Sequence, residues 1–250
     1  MTQQGKYIYG IIEEAQAKRF GFPGIEDAEV YAINYQNLAA IVSDIEFKEL
    51  DPTRKNVLAH TLVQDRLLKE YDLLPMGFGM MANNEDEVRK LLEKNYDGLV
   101  RELKRLSGKI EAELKVFWDQ EAMVKELQGR SEDLTRLKMK IHNTTSPIEK
   151  QRLIVEAGQL VERIALDWKS RYADQVYTDL KGFSVDGRLN STLGIKNVLN
   201  ASFLLEKARE GDFQKEVFKL DSQLQGKINF KYVGPLAPYN FVNIKLEPVQ

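Results

Sequence analysis

The chain has 250 residues, a length that is enough for one large or two ordinary domains. Of these residues, 43% are apolar and 30% are charged. It contains no cysteine, which excludes disulfides, thiolate metal sites and thiol nucleophiles. A formal net charge of −2 gives no global basic field, and the longest apolar runs are only strand-length, so we expect neither nucleic acid nor a membrane as partner.

The first part of the chain, residues 1–107, predicts an N-terminal α+β domain. Residues typical of strands fill four segments, at 6–13, 28–34, 38–45 and 73–81. We expect one helix to begin with Asp51 as N-cap before Pro52. A second should begin at Asn84, with Glu87 three residues on in a capping-box pattern. The buried stripe of the first helix is predicted from its apolar residues, which are Val57, Leu58, Leu62, Leu67 and Leu68.

Two phenylalanines, Phe20 and Phe22, fall in a glycine-rich stretch with one proline that predicts a loop over residues 20–24. Large apolar groups in a loop have two explanations. Either they tuck beneath the neighbouring sheet, or they form an exposed contact surface. We therefore keep both as candidate partner-binding residues.

The second part, residues 108–250, predicts a C-terminal domain with the β-α-β-β-α-β order of a modified ferredoxin-like unit. Its first crossover is enlarged into a coiled-coil-like helical hairpin at about residues 131–180. The second hairpin helix has a strong start, with Ser146 as cap, Pro147 at the first position and Glu149 at the third. Its length of roughly 33 residues spans about 50 Å. Residues 234–250 follow as a C-terminal tail.

The joint between helix and strand occurs twice in similar form, as LSGKI at residues 106–110 and LQGKI at residues 224–228. In both, the glycine suits the left-handed position that follows a helix end. The repeat indicates either a common type of connection or two related α+β units.

The C-terminal stretch predicts a half-buried strand at 228–233, a turn at Gly234 and Pro235, and a second short strand at 241–246. Either strand could present an exposed β-edge to a partner or to a second copy of the chain. This adds five candidate partner-binding residues to Phe20 and Phe22, namely Ile228, Phe230, Tyr232, Tyr239 and Phe241.

Patterns that would indicate catalysis are missing. His60 and His142 lack metal-ligand spacing, and the segment MGFG at residues 76–79 lacks the Gly-Lys-Ser/Thr end of a phosphate loop. Acidic residues such as Glu111 and Glu113 are expected on outward faces. We therefore predict no enzyme, no catalytic residue, no metal and no cofactor. The alternatives are a ferredoxin-like module that binds a small regulatory ligand, and an unrecognised hydrolase.

Five segments together resemble the gas vesicle F/L protein family. They occur in the family's order over nearly the whole chain, as GKYIYGII (5–12), LAAIVSD (38–44), LPMGFG (74–79), VLNASFLL (198–205) and GPLAPYNFV (234–242). One departure is Gly77, where many members carry arginine, so any role tied to that arginine is in doubt here.

The resemblance implies an α+β accessory or minor structural protein of gas vesicles, the gas-filled protein shells of some prokaryotes. Such a protein would bind the small, very hydrophobic, strand-forming shell protein during vesicle nucleation and assembly. Other accessory proteins of the vesicle are further expected partners. The resemblance implies no cofactor and no catalytic residues, and it implies location at the gas vesicle.

Overall fold

The computed structural model describes residues 4–119, 121–123, 125, 132–192, 194 and 196–247. Mixed helix and sheet run along them, as the predicted α+β class requires. The strands are β1 (Gln4–Glu13), β2 (Arg19–Pro23), β3 (Glu29–Tyr35), β4 (Leu38–Glu46), β5 (Leu73–Pro75), β6 (Met81–Ala82), β7 (Lys109–Trp118), β8 (Asp186–Leu189), β9 (Asn197–Glu206) and β10 (Ile228–Leu236). The helices are α1 (Arg54–Leu68), α2 (Glu85–Lys94), α3 (Tyr96–Leu106), α4 (Glu132–Asn143), α5 (Pro147–Lys181) and α6 (Glu210–Leu224), with short 3-10 turns at Ile25–Asp27, Lys207–Arg209 and Tyr239–Phe241.

Two compact units make up the chain. Met1–Glu111 and Gly234–Gln250 form the first, and Ala112–Val233 forms the second. The sequence-based division lay at 107/108 and kept the tail with the second domain. In the structure the tail is instead part of the first unit, because its polar groups find their partners there.

The first unit contains a sheet with strand order β2-β3-β4-β1-β5, in which β6 also pairs with β1. Strand β1 lies inside this sheet and is buried from Tyr7 to Ile12. It runs antiparallel to β4, with a register shift between Ile8 and Gly10. A Cβ at Gly10 would lie 2.8 Å from the carbonyl oxygen of Leu74, so only glycine allows β5 to approach this closely.

Two strand predictions in this unit need correction. The expected strand at 73–81 is two short strands, β5 and β6, separated by a loop in which Gly79 has a φ of +88°. Phe20 and Phe22 lie in strand β2 and not in a loop. The glycine that suggested a loop, Gly21, has a φ of +72° and falls where the register of β2 against β3 is irregular.

The prediction for α1 was wrong in two respects. Its N-cap is Thr53, whose side chain accepts a hydrogen bond from the Asn56 N–H, and not Asp51. The buried face consists of His60, Val63, Gln64, Leu67 and Leu68, whereas Val57, Leu58 and Leu62 are 39%, 54% and 45% exposed. The helix therefore buries two polar side chains and leaves three aliphatic ones at the surface.

The second unit has a sheet with strand order β10-β7-β9-β8. The chain passes through it in the β-α-β-β-α-β order, with α4 and α5 in the first crossover and α6 in the second. Helix α5 begins as predicted, since the Ser146 side chain accepts a hydrogen bond from the Glu149 N–H. Gly108 and Gly226 both have the left-handed backbone expected of them, with φ values of +69° and +77°. The first residue of the predicted hairpin, residue 131, lies outside the described part of the chain.

Helices α4 and α5 pack on each other and are joined by residues 144–146, which are in neither helix. We expect limited proteolysis to cut the native protein first at 143–146, because an exposed polar turn is the preferred site of nicking. Mass spectrometry of the first fragments measures the position. A first cut inside α5, or a chain resistant throughout, would contradict this.

Candidate functional site

The seven candidate partner-binding residues lie on three elements. Phe20 and Phe22 are on β2, where their rings contact each other at 5.9 Å between centroids. On β10, Phe230 and Tyr232 are half-buried and Ile228 is only 1% exposed. Tyr239 and Phe241 share one 3-10 turn in the C-terminal segment.

The hydroxyl of Tyr239 joins a buried polar network beneath α1. It donates to the Gln64 side-chain oxygen or to the Met76 carbonyl oxygen, 3.0 Å away, and the His60 Nε2 lies at 2.9 Å. On the other side of the imidazole, Nδ1 is 2.8 Å from the hydroxyl of Tyr7. These bonds supply the partners that two polar residues on the inner face of a helix require.

The imidazole of His60 is held neutral by this environment. Burial lowers its pKa from 6.5 to about 4, although the hydrogen bond with the Met76 carbonyl opposes that change. Burial also raises the pKa of Tyr239 to about 12, so its hydroxyl stays protonated and available as a donor. The network is therefore uncharged at neutral pH, and we assign His60 a structural role.

Asn240 binds a buried carboxylate. Its backbone N–H donates to Glu111 Oε2 at 2.8 Å, and its side-chain amide donates to Glu111 Oε1 at 2.5 Å. Glu111 is 1% exposed, so the expectation that it lies on an outward strand face was wrong. A carboxylate in this position is stable because it accepts hydrogen bonds that replace water.

Phe241 fills the core of the first unit with a ring that is 1% exposed. Its carbonyl oxygen accepts a hydrogen bond from the Arg105 guanidinium, which also pairs with Glu102 at 2.7 Å. Glu102 in turn accepts from the backbone N–H of Asn243 at 2.6 Å. These groups fix the chain direction on both sides of the buried ring.

The far end of the segment is fixed by Asn95. Its side chain accepts from the Glu247 N–H at 2.8 Å and donates to the Glu247 carbonyl at 3.2 Å. Between these points Ile244 lies over Gly98, where an added Cβ would be 2.9 Å from the Ile244 Cδ1. Residues 239–247 are thus bound to the first unit along their length. We call this bound segment, residues 239–247, the tail seat.

Because residues 239–247 are bound in this way, one of the two predicted β-edges is absent. Residues 242–247 have no regular secondary structure, so the expected strand at 241–246 does not form. The backbone groups of this segment bond to side chains of the first unit instead of to a neighbouring strand. Phe241 is buried and offers no surface to a partner.

The other predicted edge is present. In the part of the chain that the structure describes, strand β10 lies at one end of the second sheet and pairs there with β7 alone. Its side chains alternate in exposure, with Asn229, Lys231 and Val233 exposed and Phe230 and Tyr232 half-buried. An edge strand presents unpaired N–H and C=O groups that can accept another strand.

The exposed aliphatic face of α1, formed by Val57, Leu58 and Leu62, was missed from the sequence. The signal was present in the spacing, since buried positions 60, 63, 64, 67 and 68 follow the i, i+3, i+4 rule and the chosen apolar set does not. Apolar residues alone do not reveal this buried face, because two of its members, His60 and Gln64, are polar. Their burial is explained by their hydrogen bonds, which join His60 to Tyr7, Met76 and Tyr239 and join Gln64 to Tyr9, Met76 and Tyr239.

Among the residues that the structure describes, no group of three or more histidine, aspartate or glutamate side chains is placed to hold a metal ion. Over the same residues, no helix combines the length and apolar character needed to cross a membrane.

Comparison with known proteins supplies the family. The model of "Gas vesicle synthesis protein GvpL/GvpF" matches residues 5–243. Gas vesicle protein F of Nostoc sp. is 24% identical over 243 residues, which cover 96% of this chain and 98% of that protein. Gas vesicle protein L of Streptomyces sp. is 30% identical over 213 residues, covering 81% of this chain and 74% of the relative. The crystal structure of GvpF from Anabaena sp. superposes with a TM-score of 0.81 at 23% identity, covering 97% and 99% of the two chains.

These matches span both units and agree with the five segments that carried the resemblance, and the solved structure shares the fold. The chain belongs to the gas vesicle synthesis protein GvpL/GvpF family.

Proposed function

We propose that this protein is an accessory component of gas vesicles that binds their hydrophobic shell protein while the shell is nucleated and assembled. Its family and its relatives bear the names of gas vesicle synthesis protein and gas vesicle proteins F and L. These names support a role for the protein at the gas vesicle. The contact with the shell protein is the step that we add.

The observation that carries the proposal is the edge position of β10. A strand-forming, very hydrophobic subunit needs its backbone groups paired before it assembles, and an edge strand provides such pairing through main-chain hydrogen bonds. The half-buried rings of Phe230 and Tyr232 add apolar area beside the edge, while the exposed Lys231 discourages uncontrolled edge-to-edge pairing.

The test uses proline to remove backbone donors from β10, in two pairs of alternating positions. One pair is Phe230→Pro with Tyr232→Pro, and the other is Asn229→Pro with Lys231→Pro. Because N–H direction alternates along a strand, one pair breaks bonds to β7 and the other removes the outward donors. Circular dichroism identifies the pair that stays folded. We expect that pair to weaken co-purification of the shell protein at least about tenfold, since two main-chain bonds are lost.

The matched control replaces the two residues of the folded proline pair with valine, which keeps both backbone donors, and it should bind more shell protein than the proline pair does. Equal recovery of shell protein by wild type and by a folded proline pair would refute the edge mechanism. If the wild type does not bind and cells lacking the protein make normal vesicles, the function itself fails. Light scattering of the purified protein distinguishes a second copy of the chain as the strand partner, because that pairing would appear without shell protein.

A further inference from the structure

A depression of about 400 Å³ in the first unit lies beside edge strand β2. Its wall is formed by Phe20 and Phe22 from β2 and by Tyr71, and buried Leu67 is among its lining residues. The rings are packed against one another, with 6.2 Å between the centroids of Phe20 and Tyr71. The apolar part of the depression is therefore built from the two phenylalanines that the sequence had marked.

Cationic groups lie close to these rings. The guanidinium carbon of Arg66 is 4.8 Å from the centroid of Phe22. The ammonium of Lys18 is 5.5 Å from the centroid of Phe20 and donates a hydrogen bond to the Tyr71 hydroxyl, which places it at the edge of the Tyr71 ring. Cation–π contacts of this kind hold flexible cationic side chains in place.

The lining of the depression is positive although the whole chain carries −2. Lys18, Arg66 and Lys69 line the depression together with one carboxylate, Glu70, which is 4.0 Å from the Lys18 ammonium. Outside the lining, Glu14 interacts electrostatically with Lys18, and Asp65 with Lys69. Within the described residues, Arg66 makes no ion pair. The hydrogen bond to Tyr71 raises the pKa of Lys18, so this group stays charged at neutral pH. A lining with three cations and one carboxylate, in which Arg66 has no ion partner among the described residues, suits an anionic ligand.

We propose that this depression binds an acidic segment of a partner protein in which carboxylates alternate with aromatic side chains. The carboxylates would pair with Arg66 and Lys18, and an aromatic side chain would stack in the depression against Phe20 and Phe22. The guanidinium matches a carboxylate in bidentate geometry, while the rings supply buried apolar area. This second partner site is separate in its residues from the β10 edge and goes beyond the proposed function.

The experiment measures fluorescence polarisation of a labelled synthetic peptide that alternates glutamate with phenylalanine. Its control peptide carries glutamine at every glutamate. We expect saturable binding of the acidic peptide with a Kd below about 1 mM, weakening as salt rises, and no saturation with the glutamine peptide.

The variant Lys18→Gln with Arg66→Gln should weaken binding about tenfold, because two exposed charge pairs are lost. Both side chains lie at the surface, so the fold should survive, and circular dichroism checks this. The matched control is Arg54→Gln with Lys55→Gln, which removes two exposed cations at the other end of α1 and should bind within about twofold of wild type.

Absence of saturable binding by wild type, equal binding of both peptides, or equal loss in the two variants would each overturn the proposal. The two proposals are separable in one further measurement. The variant lacking Lys18 and Arg66 should still co-purify the shell protein, and the folded β10 proline pair should still bind the acidic peptide.

Discussion

Replacing Phe241 with alanine should lower the free energy of unfolding of the first unit by about 3–5 kcal/mol. The ring is 1% exposed and lies at the centre of the tail seat, so its removal deletes apolar burial and leaves a cavity. The loss should also loosen the chain between Asn240 and Asn243, whose partners are the buried carboxylates of Glu111 and Glu102. Urea unfolding combined with hydrogen exchange at amides of residues 4–111 measures the effect in the unit concerned.

The control for this variant is Phe218→Ala, which removes the same side chain from a position on α6 that is 67% exposed. We expect a change within about 0.5 kcal/mol there. If Phe241→Ala is as mild as Phe218→Ala, residues 239–247 contribute little to the first unit. The tail seat would then be an incidental contact.

Acidification should destabilise the protein through His60. In the unfolded chain the imidazole takes up a proton near pH 6.5, whereas in the folded protein burial holds its pKa at about 4. Between these values the unfolded state binds more protons, so stability is full above about pH 6.5 and falls as the pH drops towards 4. The difference of about 2.5 pKa units corresponds to roughly 3 kcal/mol.

Urea titrations at a series of pH values compare wild type with His60→Gln. The variant is less stable at pH 7 because it breaks bonds with Tyr7 and Tyr239, yet its stability should decline less steeply between pH 6.5 and 4. Parallel pH profiles for wild type and His60→Gln would show that His60 is not the group responsible.

The fold of the second unit was largely accessible from the sequence, because its signals are local. Ser146, Pro147 and Glu149 begin a helix within four residues, and the structure starts α5 at Pro147. Gly226 follows α6 in the left-handed conformation that was expected, as Gly108 does after α3 in the first unit. Each of these features depends on residues a few positions apart, for which backbone sterics and capping bonds are sufficient.

The candidate surfaces could be predicted from the sequence only in part. Alternation over residues 228–233 predicted a strand, and β10 lies at a sheet edge, but no local pattern shows whether a strand is central or at the edge. The same limit applied to Phe20 and Phe22, whose glycine-rich surroundings suggested a loop where the chain forms β2. Pairing with β3 overrode the local turn preference.

By itself, the sequence determined the α+β class, the order of the elements from β7 to β10 and the family, because all three follow from patterns spread along the chain. The tertiary structure alone decided where residues 239–247 go and why α1 buries His60 and Gln64. Tyr239 is 179 residues from His60, and Asn240 is 129 residues from Glu111. A buried polar group is stable only beside its partner, and the three-dimensional fold is what brings together partners so far apart in sequence.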